Sequence, residues 1–357
     1  MNQPLLRKTF ILAWLVVVYV SCRSTPESLQ ATQATFTNPL LASGPDPWIT
    51  YHDGWYYYTH TLGGYVSIWK AKHPTDLRAA ASKKVWMPDA GKPYSHNVWA
   101  PEIHYLQGKW YIYVAADDGK NENHRIWVLE NTSPDPLEGT WTLKGKLADP
   151  GDHWAIDMTI FEQKGQLYAA WSGWETYENV SQHIYLAKLK DPWTMDGDRV
   201  KISSPEYIWE KQGSSASLPT INEGPAFLRQ SPDSQKLFIV YSASACWVDD
   251  YALGLLEADA DAGLLSPQSW KKHPAPVFEK SPASGVFGPG HNSFFKSPDG
   301  TQDWILYHAN TRAGDGCGDR RAPHAQSFRW KADGTPEFGS PLPKNPIPVP
   351  AGTDSQK

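Results

Sequence analysis

The chain has 357 residues, enough for one large buried core or two modest ones, and carries a formal net charge of −5 with no Lys/Arg cluster. That balance argues against a nucleic-acid surface. Eighteen Trp and 17 Tyr beside 27 Gly and 30 Pro point to short strands and tight turns; they also suit stacking on sugar rings, although most single aromatics in such a chain serve the core.

The N-terminus reads as a targeting segment. Arg7 and Lys8 precede an apolar run from Phe10 to Val20 that ends at Ser21-Cys22. The run is short for a membrane span and has the shape of a signal peptide. A cysteine directly after a small residue is similar to a bacterial lipoprotein processing site, with Tyr19 atypical for one. Residues 1–22 are therefore expected as a lipoprotein-type signal peptide lipidated at Cys22, with simple secretion as the alternative. Residues 23–37, polar and rich in Ser, Thr and Gln, read as a flexible tether. Residues 38–350 read as the folded domain and 351–357 as a tail. The protein is expected to be exported and to meet a membrane only through its lipid anchor.

The folded stretch repeats itself. Units open at Asp46, Pro101, Asp157, Gly224 and His291, 55–67 residues apart. Each runs strand, tight turn, strand, loop, strand. The turns are His52-Asp53-Gly54, Gln107-Gly108-Lys109, Lys164-Gly165, Ser231-Pro232-Asp233 and Ser297-Pro298-Asp299-Gly300, residue types that close hairpins. No segment has a sustained helical period. Five such units predict an all-β, five-bladed β-propeller; a β-sandwich would not explain the recurrence. In a propeller the first strand of each blade lines the central channel, so residues at its start point into one funnel.

Three acids stand at such starts: Asp46 in Gly44-Pro45-Asp46-Pro47, Asp157 in Ala155-Ile156-Asp157, and Glu223 in Asn222-Glu223-Gly224-Pro225. They are expected to share one position in the repeat. Two carboxylates across a glycosidic bond are the minimal machinery for hydrolysis: one protonated to help the leaving oxygen, one ionised. A third carboxylate raises the acid's pKa by like-charge repulsion. The residues alone do not say which acid plays which part. A non-catalytic sugar-binding propeller remains the alternative of another class, although a pure binder has no reason to hold three funnel carboxylates.

Those motifs, with Val98-Trp99-Ala100-Pro101-Glu102-Ile103-His104 and Gly288-Pro289-Gly290-His291-Asn292-Ser293, are the ones through which the chain, from about Asn38 to Pro348, resembles glycoside hydrolase family 43. The resemblance implies inverting hydrolysis, with Asp46 as general base, Glu223 as general acid and Asp157 as the residue that tunes and orients the acid. It implies no cofactor for the chemistry, and a hydrated calcium or sodium ion on the propeller axis held through His291; the alternative is a histidine that only hydrogen-bonds in the channel. Trp99 and Trp69 are candidate walls of the sugar pocket, with inter-blade packing as the alternative. Glu102 reads as a buried structural partner. Arg321 matches an arginine that reaches the pocket from blade five, with Arg320 as the alternative and His324 standing where relatives have a basic residue.

The expected substrate is an arabinose- or xylose-containing polysaccharide or oligosaccharide. The segments Tyr241–Tyr251 and Gly316–Arg320, and the lack of a further β-sandwich after blade five, favour α-L-arabinofuranosidase over β-D-xylosidase or β-D-galactofuranosidase. Insertions at Thr176–Ser181 and Trp209–Pro219 could wall the funnel and favour exo action. Whether Cys246 and Cys317 pair is not readable from spacing.

Overall fold

The computed structural model describes Met1 and residues 34–353. The expected signal peptide, its Cys22, the tether as far as residue 33 and the last four residues of the tail lie outside the described residues.

Twenty-one of the strands from Trp48 onward and the short strand Thr35–Phe36 build five four-stranded blades and one closing pair. Blade one holds Trp48–His52, Trp55–Thr59, Val66–Ala71 and Ala81–Trp86 in that order, and blades two to five repeat it from His96, Ala155, Thr220 and Phe287. This is the expected five-bladed propeller with one strand more per blade. The fourth strands escaped the sequence reading because they lie at the rim, where solvent takes their side chains; Ala81–Trp86 shows no buried residue. The hairpin turns follow the expectation. Asp53-Gly54, Gln107-Gly108 and Lys164-Gly165 all have positive φ at both residues (48° and 77°, 49° and 81°, 52° and 76°), the backbone that matches the twist of the flanking strands.

Alternate residues of the second strands face opposite neighbours. Tyr111 and Tyr113 pack toward blade three, while Trp110, Ile112 and Val114 pack toward blade one. The same division gives five apolar clusters, one between each adjacent pair of blades, the last joining Tyr56 and Tyr58 of blade one to Trp304 and Leu306 of blade five. Strands buried on both faces account for near-continuous apolar runs such as Trp110–Ala116.

The ring is closed by the N-terminal segment. Thr35–Phe36 pairs with Ile347–Pro348, so strand pairing begins inside the stretch expected as tether. Asn38 then exchanges both side-chain hydrogen bonds with the Ala325 backbone, 2.9 Å each, and the amides of Leu40 and Gly44 donate to the carbonyls of Pro323 and Arg321. A Cβ on Gly44 would meet the Tyr58 hydroxyl at 2.6 Å and Pro323 at 2.9 Å, so only glycine fits. Closure therefore carries Arg321 beside the chain that reaches Asp46.

Candidate active site

The inner strands share one irregularity. In blade three Ile156 pairs with Ser172 and Thr159 with Ala170, so Asp157-Met158 occupy an extra step, a β-bulge. Equivalent steps fall at Ala100-Pro101, Gly224-Pro225 and His291-Asn292. The first residue of each is left-handed, with φ of 43° at Ala100, 57° at Asp157, 53° at Gly224 and 45° at His291; Asp46, just ahead of its strand, has 55°. Each such non-glycine residue costs on the order of 1–2 kcal/mol. Hydrogen bonds across the blade boundary hold the bulges in place. The amide of Asp46 donates to His308 Nδ1 at 3.0 Å, that of Ala100 to Thr61 Oγ1 at 2.7 Å, that of Gly224 to Asp157 Oδ2 at 3.0 Å and that of His291 to Ser242 Oγ at 2.7 Å. Every acceptor comes from the preceding blade.

This corrects the expected equivalence of the three acids. Asp157 and His291 share the bulge position and Asp46 shares their left-handed backbone just ahead of its strand, whereas Glu223 lies one residue before its bulge and the equivalent residue is Gly224. The inserted step shifts phase by one residue, which motif spacing does not reveal.

Even so, the acids meet. Asp46, Asp157, Glu223 and His291 line one cavity of about 1020 Å³ at the starts of the inner strands. Asp46 Oδ1 accepts from Arg321 Nη1 at 2.9 Å and lies 3.2 Å from His291 Nδ1; its Oδ2 accepts from the Thr61 hydroxyl at 2.6 Å. Burial alone would raise its pKa, but Arg321 and His291 outweigh burial and hold the carboxyl well below the ordinary range. Burial would lower the pKa of His291, yet Asp157 and Asp46 hold it up at about 9. His308 is buried and pushed down to about 3, consistent with a neutral ring whose Nδ1 accepts the Asp46 amide.

Glu223 is treated differently. Its Oε1 accepts from Tyr251 at 2.9 Å, and among the described residues no cation lies within ion-pair distance. Burial, then the charge of Asp157, push it up to about 8. Burial likewise raises Asp157 to about 6, with His291 opposing. Tyr251 is kept close by Gly290, where a Cβ would lie 2.2 Å from its ring. At neutral pH the pocket thus offers an ionised carboxylate at Asp46 and a protonated carboxyl at Glu223, the requirements for general-base and general-acid work in one step.

The other expected residues divide. Trp99 lines the cavity and stacks on His124 with ring centroids 4.1 Å apart. Arg321, and not Arg320, reaches Asp46; Arg320 pairs with Asp315 at the surface. His324 is buried beneath Tyr307. Trp69 is a correction: it packs tilted against His60 and edge-on to Tyr58 and joins the cluster between blades five and one, away from the cavity lining. It sits on the third strand of its blade, and its face packs against the neighbouring blade. Glu102 is buried against His104, Nε2 to Oε2 2.8 Å.

His291 is the residue expected to hold a hydrated ion on the axis. Its Nδ1 is engaged with Asp46, and among the described residues no group of three or more His, Cys, Asp or Glu side chains is placed to hold a metal. One imidazole nitrogen is a small part of the 6–8 oxygen ligands calcium takes.

Several lining residues were not anticipated. Trp154 stacks on Trp174 at 4.7 Å and lines the cavity with Asn121, Gln182 and Trp247. A signal for Trp154 existed, since Trp99-Ala-Pro-Glu102 and Trp154-Ala-Ile-Asp157 share one pattern. Both insertions contribute wall, through Asn179 and through Leu218 and Pro219. Cys246 and Cys317, also in the wall, form a disulfide with Cα atoms 5.1 Å apart.

Comparison with known proteins agrees with this geometry. The family model for glycosyl hydrolases family 43 matches residues 36–336. The chain is 37% identical to an extracellular exo-α-(1→5)-L-arabinofuranosidase of Streptomyces avermitilis, over 96% of this chain and 71% of that protein. It is 36% identical to α-L-arabinofuranosidase 43 of Humicola insolens, over 96% and 70%. The crystal structure of an α-L-arabinofuranosidase from Lactobacillus brevis superposes with a TM-score of 0.80 at 38% identity, covering 87% of this chain and 98% of that one. The chain belongs to glycoside hydrolase family 43.

Proposed function

We propose that this family 43 glycoside hydrolase is an exo-acting α-L-arabinofuranosidase that releases terminal α-L-arabinofuranosyl residues from arabinose-containing polysaccharides or oligosaccharides with inversion. One conjunction carries the reading: an ionised and a protonated carboxyl share a walled pocket, on a chain 37% identical to a relative named as exo-acting on α-(1→5)-L-arabinofuranosyl linkages. Asp46 takes a proton from water as its oxygen attacks the anomeric carbon. Glu223 gives its proton to the glycosidic oxygen as the C–O bond breaks. Asp157 keeps Glu223 protonated and, through the Gly224 amide, fixes the strand next to it. Trp99 and Arg321 contact the sugar. His291 serves as a charged partner to the two aspartates, and no cofactor takes part. Export fits the relatives named as extracellular; a lipid anchor at Cys22 would hold the propeller at the membrane surface.

The test is initial rates on matched aryl α-L-arabinofuranoside, β-D-xylopyranoside and β-D-galactofuranoside, with Glu223→Gln as control and the first-formed anomer followed by NMR. The arabinoside should be preferred, β-L-arabinofuranose should appear first, and the control should lose about 10²–10⁴-fold, less where the aryl group departs readily. Preference for another glycoside would replace the sugar. Retention of configuration would replace the mechanism.

A further inference from the structure

Neither the acids nor the motifs account for Trp247. It lies on the loop after the second strand of blade four and lines the same cavity as the three acids, yet 39% of its surface is exposed. The exposed ring is firmly held. Nε1–H donates to the Gly213 carbonyl at 3.0 Å, tying it to the blade-four insertion. A Cβ on Gly213 would lie 2.7 Å from Ala245 and 3.0 Å from the indole nitrogen, so the contact depends on glycine. On the other side, Cys246 is bonded to Cys317 of blade five. A large aromatic fixed at both ends and left open to a pocket is preorganised to receive a ring.

Its place relative to the acids sets which ring. Tyr251, four residues along the same loop, donates to Glu223. Trp247 therefore shares its loop with the residue that holds the proposed proton donor, while Asp46 is held from blade five by Arg321 and His308. In an inverting displacement the acid marks the leaving-group side and the base the water side.

We propose that Trp247 is the platform for the leaving-group sugar: its indole stacks on the C–H face of the ring whose oxygen departs, and the Cys246–Cys317 bond with the Gly213 carbonyl sets its angle. The proposal rests on the arabinofuranosidase reading of the same pocket. It makes Trp247 a specificity determinant for saccharide leaving groups, with no part in reactions whose leaving group lacks a ring.

Trp247→Ala, Trp247→Leu and Trp247→Phe are compared with unsubstituted protein on α-(1→5)-linked arabinotriose and on methyl α-L-arabinofuranoside, reading kcat and KM separately by released arabinose. Trp247→Ala and the space-filling Trp247→Leu should lose about 10-fold in kcat/KM on arabinotriose, the scale of one aromatic contact. On the methyl glycoside both should stay within about 2-fold, and Trp247→Phe should keep most activity on arabinotriose. An equal loss on both substrates, or no loss on arabinotriose, overturns the platform. If unsubstituted protein turns over neither substrate, the arabinofuranosidase reading fails and the platform with it. That result differs from a platform failure, in which unsubstituted protein acts on both substrates.

Discussion

Replacing Arg321 by Gln tests what keeps Asp46 ionised. Arg321 Nη1 is 2.9 Å from Asp46 Oδ1, and both side chains are nearly buried, 14% and 10% exposed, so salt screens the pair weakly. Charge centres about 4 Å apart at an effective dielectric of about 20 interact by about 4 kcal/mol, roughly three pKa units. Water entering the vacated space reduces this, and His291 remains at 3.2 Å, so the Asp46 pKa is expected to rise by only part of that interaction. The base works when ionised. Activity is therefore present above its pKa and lost as pH falls through it, and raising the pKa moves the loss upward. In unsubstituted enzyme the acid limb of kcat/KM should lie well below the usual carboxylate range. In Arg321→Gln it should climb into the measurable range. The same shift acts on stability, because a depressed carboxylate pKa stabilises the fold above its unfolded value and ceases to as pH falls through the folded one. The variant should therefore lose about 1–4 kcal/mol at neutral pH. The assay is kcat/KM on an aryl α-L-arabinofuranoside at constant ionic strength, from about pH 3 to pH 9, which reports the free enzyme. A lowered plateau with an unmoved acid limb would refute the reasoning and confine Arg321 to sugar binding.

Asp157→Asn should act on the other limb. The acid works when protonated, so activity falls as pH rises through its pKa, about 8 in the native pocket; removing the Asp157 charge should move that fall to lower pH, and an unchanged basic limb in the kcat/KM profile would sink the tuning role. Away from the acids, Lys272→Met should leave Glu210 buried and unpaired. Glu210 is fully buried and accepts from Lys272 Nζ at 2.8 Å, Tyr241 at 2.9 Å and Asn222 Nδ2 at 3.1 Å, so a loss of about 3–5 kcal/mol is expected in urea unfolding. A loss under about 1 kcal/mol would mean that the carboxyl relaxes or takes up a proton at little cost.

What could be read from the sequence follows from where each signal resides. The blades were legible because a hairpin needs left-handed turn residues and a buried second strand needs an apolar run, and Asp53-Gly54 before Trp55–Thr59 shows both. Rim strands such as Ala81–Trp86 carry neither. Trp69 and Trp99 look alike in sequence. One packs between blades and the other lines the pocket, because they stand on different strands of their blades. Glu102 and Asp157 each close a Trp-Ala-x-acid string, yet only Asp157 enters the pocket. Glu102 lies two residues past the left-handed bulge residue Ala100 and is buried at His104, whereas Asp157 is itself the left-handed bulge residue. The string is visible in sequence; the register of the extra step is not. Pairing of Cys246 with Cys317 depended on consecutive blades four and five bringing two loops together at the pocket wall, which spacing cannot express.

That hidden register also explains why three similar carboxyls acquire different charges. The left-handed residues at the starts of the inner strands converge, so Asp46, Asp157 and His291 lie together, with His291 Nδ1 at 3.2 Å from Asp46 and 3.9 Å from Asp157. Arg321, delivered by closure of the ring, adds a second cation on Asp46 alone. Glu223, one residue out of phase, is within ion-pair reach of neither cation among the described residues and keeps a single hydrogen bond from a neutral Tyr251. Burial then dominates, and the charge of Asp157 pushes the same way. In the bulge position a carboxyl faces the imidazolium, which opposes the effect of burial, as it does at Asp157. On the proposed mechanism, a one-residue offset in one of five repeats thus sets the proton donor apart from the two carboxyls beside the imidazolium.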